Sequence, residues 1–312
     1  MNSKRFLLYS LVLSITVLFL VSSCTAKVDS SKGSKEPLVP VEEIVSGGPP
    51  KDGIPSIDNP KFIGVAQAGF LDDASRGMLV KVDNDIRFYP FSILVWHEIV
   101  NDFVGGKSLA ITFCPLCATG IVFEREIDST IYDFGTSGKL YQSNLVMYDR
   151  QTDSYWSQIL GKAVVGELTG TELTIYPSSL LTFKEAKETY PNLKVLSTDT
   201  GFERNYQRDP YGDYYTSERV IFKVEKEDDR LHPKQLIYAI SIGGKFKVYH
   251  YDDLVAEGMV DDTFNGHKLE ISIEDGEVKV QDKTANKRIV GFNSFWFAFV
   301  THNPDAQLWQ AK

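Results

Sequence analysis

The sequence has 312 residues, a formal net charge of −9 and 43% hydrophobic residues. This composition is typical of a globular protein and excludes a collagen-like, coiled-coil or wholly disordered chain. The excess of acidic residues argues against a nucleic-acid-binding surface, because such surfaces neutralise phosphates with Lys and Arg. The three cysteines are too few for a disulfide framework, so their positions matter more than their number.

The N-terminus has the pattern of an export signal. Lys4 and Arg5 precede an apolar run over residues 6–21. This run is shorter than the roughly 20 residues of a membrane-spanning helix and fits the apolar core of a signal peptide. Small residues precede Cys24, an arrangement that resembles a bacterial lipobox. We therefore predict a lipoprotein signal peptide over 1–23 and lipidation of Cys24, with a plain secretory signal as the alternative.

The next residues, 24–60, are rich in Ser, Lys, Gly and Pro, which favours a flexible tether. Together, the signal and the tether predict a protein of the bacterial cell envelope whose membrane contact is its lipid anchor. Thr25, rather than Asp, follows the anchor cysteine. This residue favours the outer membrane, with the protein facing the periplasm.

Residues 61–312 form one predicted α+β domain that is rich in strands. Alternating apolar residues over 78–89 indicate a hairpin, and Pro90 opens a helix-like stretch over 91–100. A strand over 108–113 runs directly into the second cysteine. Further predicted elements are strands over 120–126, 140–149 and 154–158, a helix over 182–190, and a polar surface loop over 203–229.

An internal repeat is visible in the sequence. Residues 87–111 align without a gap on 247–271, and eight positions are identical. We interpret 78–111 and 238–271 as two copies of one hairpin–helix–strand unit, packed around a pseudo-two-fold axis.

The two copies differ at residues capable of chemistry. Cys114, Cys117 and His97 all align with glutamates in the second copy. A residue that serves only the scaffold has a reason to appear in both copies. The comparison therefore favours a chemical role for the two cysteines and the histidine.

Cys114 and Cys117 form a C-x-x-C pair at the end of a predicted strand. Our leading hypothesis is a thiol-dependent oxidoreductase site, in which one cysteine attacks, the other resolves, and His97 lowers a thiol pKa. A purely structural disulfide is disfavoured, because closing so short a loop removes little chain entropy. This chemistry needs no cofactor, and it predicts a redox partner protein or a small-molecule substrate of unknown identity.

Two other functions remain open for the same residues. Two thiolates with His97 and the thioether of Met147 would suit Cu(I), which predicts a copper-binding or copper-delivery protein. The third hypothesis is a non-enzymatic module that binds a small polar ligand.

Polar and aromatic side chains cluster over residues 136–158 and fit the wall of a pocket near the cysteines. A satisfied hydrogen-bond network among strands is the alternative. The candidate binding residues are Tyr141, Ser143, Asn144, Asp149 and Arg150.

Several segments together resemble the bacterial DUF3179 family. They are residues 89–102, 112–117, 134–141, 143–150 and 155–158, and the resemblance covers most of 61–312. The family has no established activity, so the resemblance implies none. Some family members are selenoproteins. If their selenocysteine replaces a cysteine of this motif, the resemblance implies redox chemistry at Cys114 or Cys117 over a structural role, because selenium is the better nucleophile and leaving group.

Overall fold

The computed structural model describes residues 35–311; the predicted signal peptide and Cys24 lie outside the described residues. Strands contain 43% of the described part and helices 15%. The predicted α+β class is therefore wrong, and the protein is mainly β. Within residues 35–311, no helix is long and apolar enough to cross a membrane.

The described chain contains 24 strands. In chain order they are β1 (Ile44–Ser46), β2 (Phe62–Gly64), β3 (Arg76–Val82), β4 (Asp85–Pro90), β5 (Ile99–Val104), β6 (Lys107–Cys114), β7 (Thr119–Glu124), β8 (Glu126–Ile127), β9 (Thr130–Ile131), β10 (Phe134–Tyr141), β11 (Asn144–Asp149), β12 (Tyr155–Ser157), β13 (Lys162–Val165), β14 (Ile175–Tyr176), β15 (Ser179–Thr182), β16 (Lys194–Leu196), β17 (Leu236–Ile242), β18 (Lys245–His250), β19 (Met259–Phe264), β20 (His267–Glu274), β21 (Glu277–Asp282), β22 (Lys287–Ile289), β23 (Phe292–Phe295) and β24 (Gln307–Trp309).

The α-helices of the described part are short. They are α1 (Phe91–His97), α2 (Phe183–Thr189), α3 (Tyr251–Glu257) and α4 (Trp296–His302). Single 3-10 turns occur at Val41–Glu43, Val65–Gln67, Pro115–Cys117 and Gly212–Thr216. The predicted helix-like stretch over 91–100 ends early, because the backbone at Glu98 turns to a positive φ and the β-branched residues after it join β5.

The strands form five sheets in the described part. The largest, called the large sheet below, has the order β24-β18-β17-β23-β7-β6-β5, with β14 beside β7. The other sheets are β1-β10-β11-β12-β13, β15-β3-β4-β16-β2, β19-β20-β21-β22 and β8-β9. The strands that flank the cysteine pair, β6 and β7, lie inside the large sheet.

Two segments of the chain contain the same elements in the same order. The first segment (76–114) runs β3, β4, α1, β5, β6, and the second segment (236–274) runs β17, β18, α3, β19, β20, with equal element lengths. Three later elements complete each segment: β15, α2 and β16 for the first, and β23, α4 and β24 for the second. In both cases the first added strand pairs antiparallel with a hairpin strand of the segment, and the last pairs parallel with the other hairpin strand. The large sheet takes β5 and β6 from the first segment and β17 and β18 from the second, so the cysteine turn lies where the two segments meet.

A buried ion pair recurs at the same place in both segments. Tyr89 donates a hydrogen bond of 2.6 Å to Asp102, and Arg87 lies 2.7 Å from both carboxylate oxygens. In the second segment, Tyr249 and Lys247 contact Asp262 at 3.1 and 3.0 Å. Each group ties the hairpin to the strand that follows the helix.

Part of the predicted tether belongs to the folded domain. Strand β1 pairs with β10, and Ile57 is only 1% exposed. The backbone of Ile57 bonds to Ile99 and Asn101 at 2.9 and 2.8 Å. Residues 44–57 therefore contribute to the core and cannot act as a flexible linker.

Replacing Asp102 with Asn should destabilise the protein by about 3 kcal/mol, because it breaks a buried ion pair. This value is at the lower end of the range for such pairs, since Arg87 keeps its 2.6 Å contact with Asp85. The measurement is the free energy of unfolding from a denaturant titration. Asp83→Asn is the control, because Asp83 lies at an exposed turn with φ 51° that Asn tolerates, and it should change stability by less than about 0.5 kcal/mol. Equal effects of the two variants would contradict the role of Asp102.

Candidate functional site

The cysteine pair lies in the tight connection between β6 and β7. Cys114 ends β6 opposite Thr119, and the 3-10 turn Pro115–Cys117 and a left-handed Ala118 reverse the chain. Proline suits the first position of this turn, because its missing N–H has no partner to lose there. Both thiols are free and point into the main apolar core, where Cys114 is 2% exposed and Cys117 is 0% exposed.

Hydrogen-bond donors converge on the Cys117 sulfur. Thr119 Oγ1 donates at 3.1 Å and Asn144 Nδ2 at 3.2 Å. The Asn144 amide is itself fixed, since its Nδ2 also donates to Gln158 Oε1 at 3.0 Å and its Oδ1 accepts from the Ile159 N–H at 3.0 Å. This arrangement suits a thiolate, which accepts hydrogen bonds and donates none.

A wider hydrogen-bond network holds these donors in place. Gln158 Nε2 donates to Thr112 Oγ1 and to the Thr119 carbonyl, both at 2.9 Å. Thr119 Oγ1 lies 2.9 Å from Ser294 Oγ on β23. The network joins residues of β6, β7, β11 and β23 with Gln158, which directly follows β12, so segments distant in the chain set the surroundings of Cys117.

The two thiols differ in acidity. Burial raises the pKa of Cys114 well above its ordinary value, and the neighbouring Cys117 raises it further. Burial also opposes ionisation of Cys117, but hydrogen bonds from Cys114, Thr119 and Asn144 outweigh it and bring the pKa of Cys117 below its ordinary value. Cys117 is therefore the more acidic thiol of the pair.

A buried glutamate, Glu98, shares this environment. It follows α1, its side chain is 8% exposed, and its carbonyl accepts a 2.8 Å bond from the N–H of Phe113. Burial, with a smaller contribution from Cys117, raises the pKa of Glu98 to about 8. Sequence reasoning missed this residue, although one signal was available: it aligns with Gly258 in the second segment.

Three tyrosines cover the cysteine turn. The side chain of Tyr214 donates a 2.8 Å hydrogen bond to the Leu116 carbonyl, and its ring packs against Tyr211 and Tyr215. Burial raises the pKa of all three side chains, and the charges of the cysteines add to the effect. These residues belong to the predicted surface loop over 203–229, which therefore contributes to the site.

His97 is not brought to the cysteines. Its Nδ1 lies 2.7 Å from the Pro55 carbonyl and its Nε2 lies 2.7 Å from the Tyr206 hydroxyl. Burial lowers the pKa of His97 to about 4, so the ring is neutral at ordinary pH. The structure therefore does not support His97 as the imidazolium that lowers a thiol pKa.

The predicted metal ligands do not form one cluster. Both nitrogens of His97 are engaged elsewhere, although Met147 packs in the same apolar core as the two cysteines. Within residues 35–311, no group of three or more His, Cys, Asp and Glu side chains is placed to hold a metal ion.

Of the predicted binding residues, Asn144 alone contacts a cysteine sulfur in the described structure. Asp149 instead accepts hydrogen bonds from Trp156 Nε1 at 2.9 Å and from Thr152, which fixes a turn. Arg150 pairs with Asp58 at 2.5 Å.

The other two candidates flank the turn between β10 and β11. Tyr141 packs edge-on against the ring of His302, with centroids 5.4 Å apart. The Ser143 hydroxyl is buried without a hydrogen-bond partner among the described residues.

A mostly apolar cavity of about 330 Å³ adjoins the site. Its walls include Phe113 and Ala118, the residues that precede and follow the cysteine motif, together with Phe91, Tyr215 and Phe295. A cavity of this size accommodates a small molecule.

Comparison with known proteins identifies the family. The model described as "Protein of unknown function (DUF3179)" matches residues 51–291. The match spans more than half of the chain and includes both cysteines and the side chains that donate to Cys117, so the chain belongs to the DUF3179 family and the resemblance seen in the sequence is confirmed. No curated protein and no solved structure matches the chain.

Replacing Asn144 with Ala should raise the pKa of Cys117, because the thiolate loses a hydrogen bond; bonds to charged groups contribute about 1.5–3 kcal/mol. The measurement is the ultraviolet absorbance of the thiolate, titrated against pH. Ser143→Ala is the matched control, since the adjacent hydroxyl bonds to no described residue and its loss should leave the titration unchanged. A shift of the same size in both variants would mean that Asn144 has no specific role.

Proposed function

We propose that this member of the DUF3179 family carries out thiol–disulfide exchange, with Cys117 as the attacking thiolate and Cys114 as the resolving thiol. The observation that carries the proposal is the asymmetry of the pair. Two free thiols share one buried turn, and side-chain donors converge on only one of them. Thiol–disulfide exchange requires two thiols of different acidity, because one attacks as a thiolate while the other stays protonated until it resolves the intermediate.

The reaction balances without a cofactor. Cys117 attacks one sulfur of a substrate disulfide, the substrate S–S bond breaks, and one substrate thiolate leaves. Cys114 then loses its proton and attacks Cys117 Sγ, forming the intramolecular disulfide and releasing the second substrate thiolate. The substrate gains two electrons, and the cysteine pair loses them.

Access to the sulfurs is controlled by the tyrosine-bearing turn Gly212–Thr216. Tyr214 bonds to the Leu116 carbonyl inside the C-x-x-C turn itself, and Lys234 Nζ donates to the Ser217 carbonyl at 2.6 Å. The sulfurs are buried beneath this cover, so a substrate must either enter beside Phe113 and Ala118 or displace the tyrosines.

We also propose that lipid at Cys24 anchors the protein in the cell envelope, where thiols meet an oxidising environment. This proposal is supported by the sequence alone, through the apolar run and the small residues before Cys24. It would place the site at the outer membrane, facing the periplasm.

Reversible oxidation should require both core cysteines. In the full chain carrying Cys24→Ser, equilibration in dithiol buffers should show two thiols oxidised together, with the ratio of the two forms changing tenfold per 29.6 mV as a two-electron couple requires. Cys114→Ser and Cys117→Ser should each abolish the transition, measured by alkylation and mass spectrometry. The proposal is contradicted if the two thiols stay reduced, or oxidise only irreversibly, at every accessible potential.

Lipid attachment should depend on Cys24 alone. Bacterial cells fed an alkyne fatty acid should incorporate it into the parent chain and into Cys114→Ser, and should not incorporate it into Cys24→Ser. The measurement is fluorescence after coupling of the alkyne to a dye. Equal labelling of the Cys24 variant would show that this cysteine is not the anchor.

A further inference from the structure

We infer that Glu98 carries the proton of the exchange reaction, giving one to the leaving substrate thiolate and later taking one from Cys114. The inference rests on the proposed thiol–disulfide exchange and assigns its missing acid–base group. The net movement is balanced, because the proton lost by Cys114 ends on the released substrate thiol. The transfers occur directly or through one water molecule.

The first observation is the backbone of Glu98. It has φ 58° and ψ −31° at the end of α1, and Gly258 has φ 70° and ψ −35° at the matching end of α3. Glycine adopts positive φ at little cost, whereas a side chain there costs about 1–3 kcal/mol. The scaffold alone would therefore favour glycine after both helices, and a function of the carboxyl group explains its presence in the first segment.

The second observation is that Glu98 is a buried residue whose carboxyl accepts no hydrogen bond from the described residues. Glu98 is 8% exposed, and no donor of the described residues shifts its pKa through a hydrogen bond. Asp102 and Asp149 are also buried, but each accepts several hydrogen bonds that stabilise its charge. A buried carboxyl without such bonds favours its neutral form and is free to exchange a proton.

The third observation is that Glu98 lies beside the cysteine turn, because its carbonyl accepts a 2.8 Å hydrogen bond from the N–H of Phe113, the residue before Cys114. Cys117 acts on Glu98 from the 3-10 turn, while the charge of Glu98 acts on Cys114 at the end of β6 and on Tyr211 from the covering segment. Burial and Cys117 are the two causes of its raised pKa, and no lysine or arginine of the described residues offsets them. The carboxyl is therefore coupled to both cysteines.

This coupling gives the proton transfer its order. In the resting pair the Cys117 thiolate favours the protonated form of Glu98. Formation of the mixed disulfide removes the charge of Cys117, so the pKa of Glu98 falls and its proton becomes available to the leaving thiolate. The resulting carboxylate is then the base that Cys114 needs, because burial keeps the pKa of that thiol high.

The experiment follows the reaction of the full chain carrying Cys24→Ser with dithiodipyridine, a small disulfide that releases a coloured thiol at each step. The pyridinethiolate of this probe is a good leaving group that departs without an acid, so the first release should keep its rate in Glu98→Gln. The second release should slow about a hundredfold, within the range for general acid–base catalysis, because Cys114 then lacks its base. The parent's second step should accelerate as pH rises through the pKa of Glu98, which lies below its resting value of about 8 once the Cys117 charge is lost, because only the ionised carboxyl accepts the Cys114 proton. The variant should lack this dependence.

Two further variants separate chemistry from folding. Glu98→Gly removes the carboxyl and relieves the positive φ, so it should fold at least as stably as the parent and still be slow in the second step. Glu257→Gln, at the exposed end of α3, is the matched control and should behave as the parent. A second step of parental rate and pH dependence in both Glu98 variants would overturn the inference while leaving the exchange proposal intact. Failure of the parent itself to react would overturn both.

Discussion

The constraint on which the site depends is the cost of a charge in the apolar core. Cys117 is fully buried, so water cannot stabilise its thiolate, and the protein must supply hydrogen bonds instead. Thr119 and Asn144 provide them, and Gln158 holds Asn144 in position. Cys114 has the same burial without comparable donors, and this difference makes the pair asymmetric.

The comparison between the two segments distinguishes scaffold from chemistry. Asp102 and Asp262 each bind a tyrosine hydroxyl and a cation, so that interaction belongs to the fold of the unit. The end of the helix shows the opposite pattern, with Glu98 where the second segment has Gly258. The two cysteines also differ between the copies, because glutamates occupy the aligned positions of the second copy. The groups proposed to react thus lie in the first segment and in the turn that directly follows it, at the junction with the second segment in the large sheet.

Local features of the chain were predictable from the sequence, and long-range contacts were not. The hairpin before Pro90 and the strand that leads to Cys114 follow from alternation and turn residues, which act over a few neighbours. The predicted fold class was wrong because each α-helix of the described part has only seven residues, as where α1 ends before the positive φ of Glu98, and strands contain most of the regular structure. His97 was misjudged for a related reason: its partners, Pro55 and Tyr206, are distant in sequence, and no local pattern shows where a ring nitrogen will bond. Asn144 was found through the polar pattern of its strand, whereas Glu98 is identified by its strained backbone and burial.

The segment that limits access to the sulfurs also maintains their asymmetry. Tyr211 and Tyr214 contribute to the burial that keeps Cys114 protonated and the Glu98 carboxyl neutral. Displacing them would admit water, and hydration brings the pKa values of both groups back towards their ordinary range. The hydrogen bonds from Thr119 and Asn144 come from strands beneath the turn and do not depend on the cover. In the proposed exchange, opening the site would therefore keep Cys117 the more acidic thiol for the attack, while closure would restore the burial on which the proposed role of Glu98 depends.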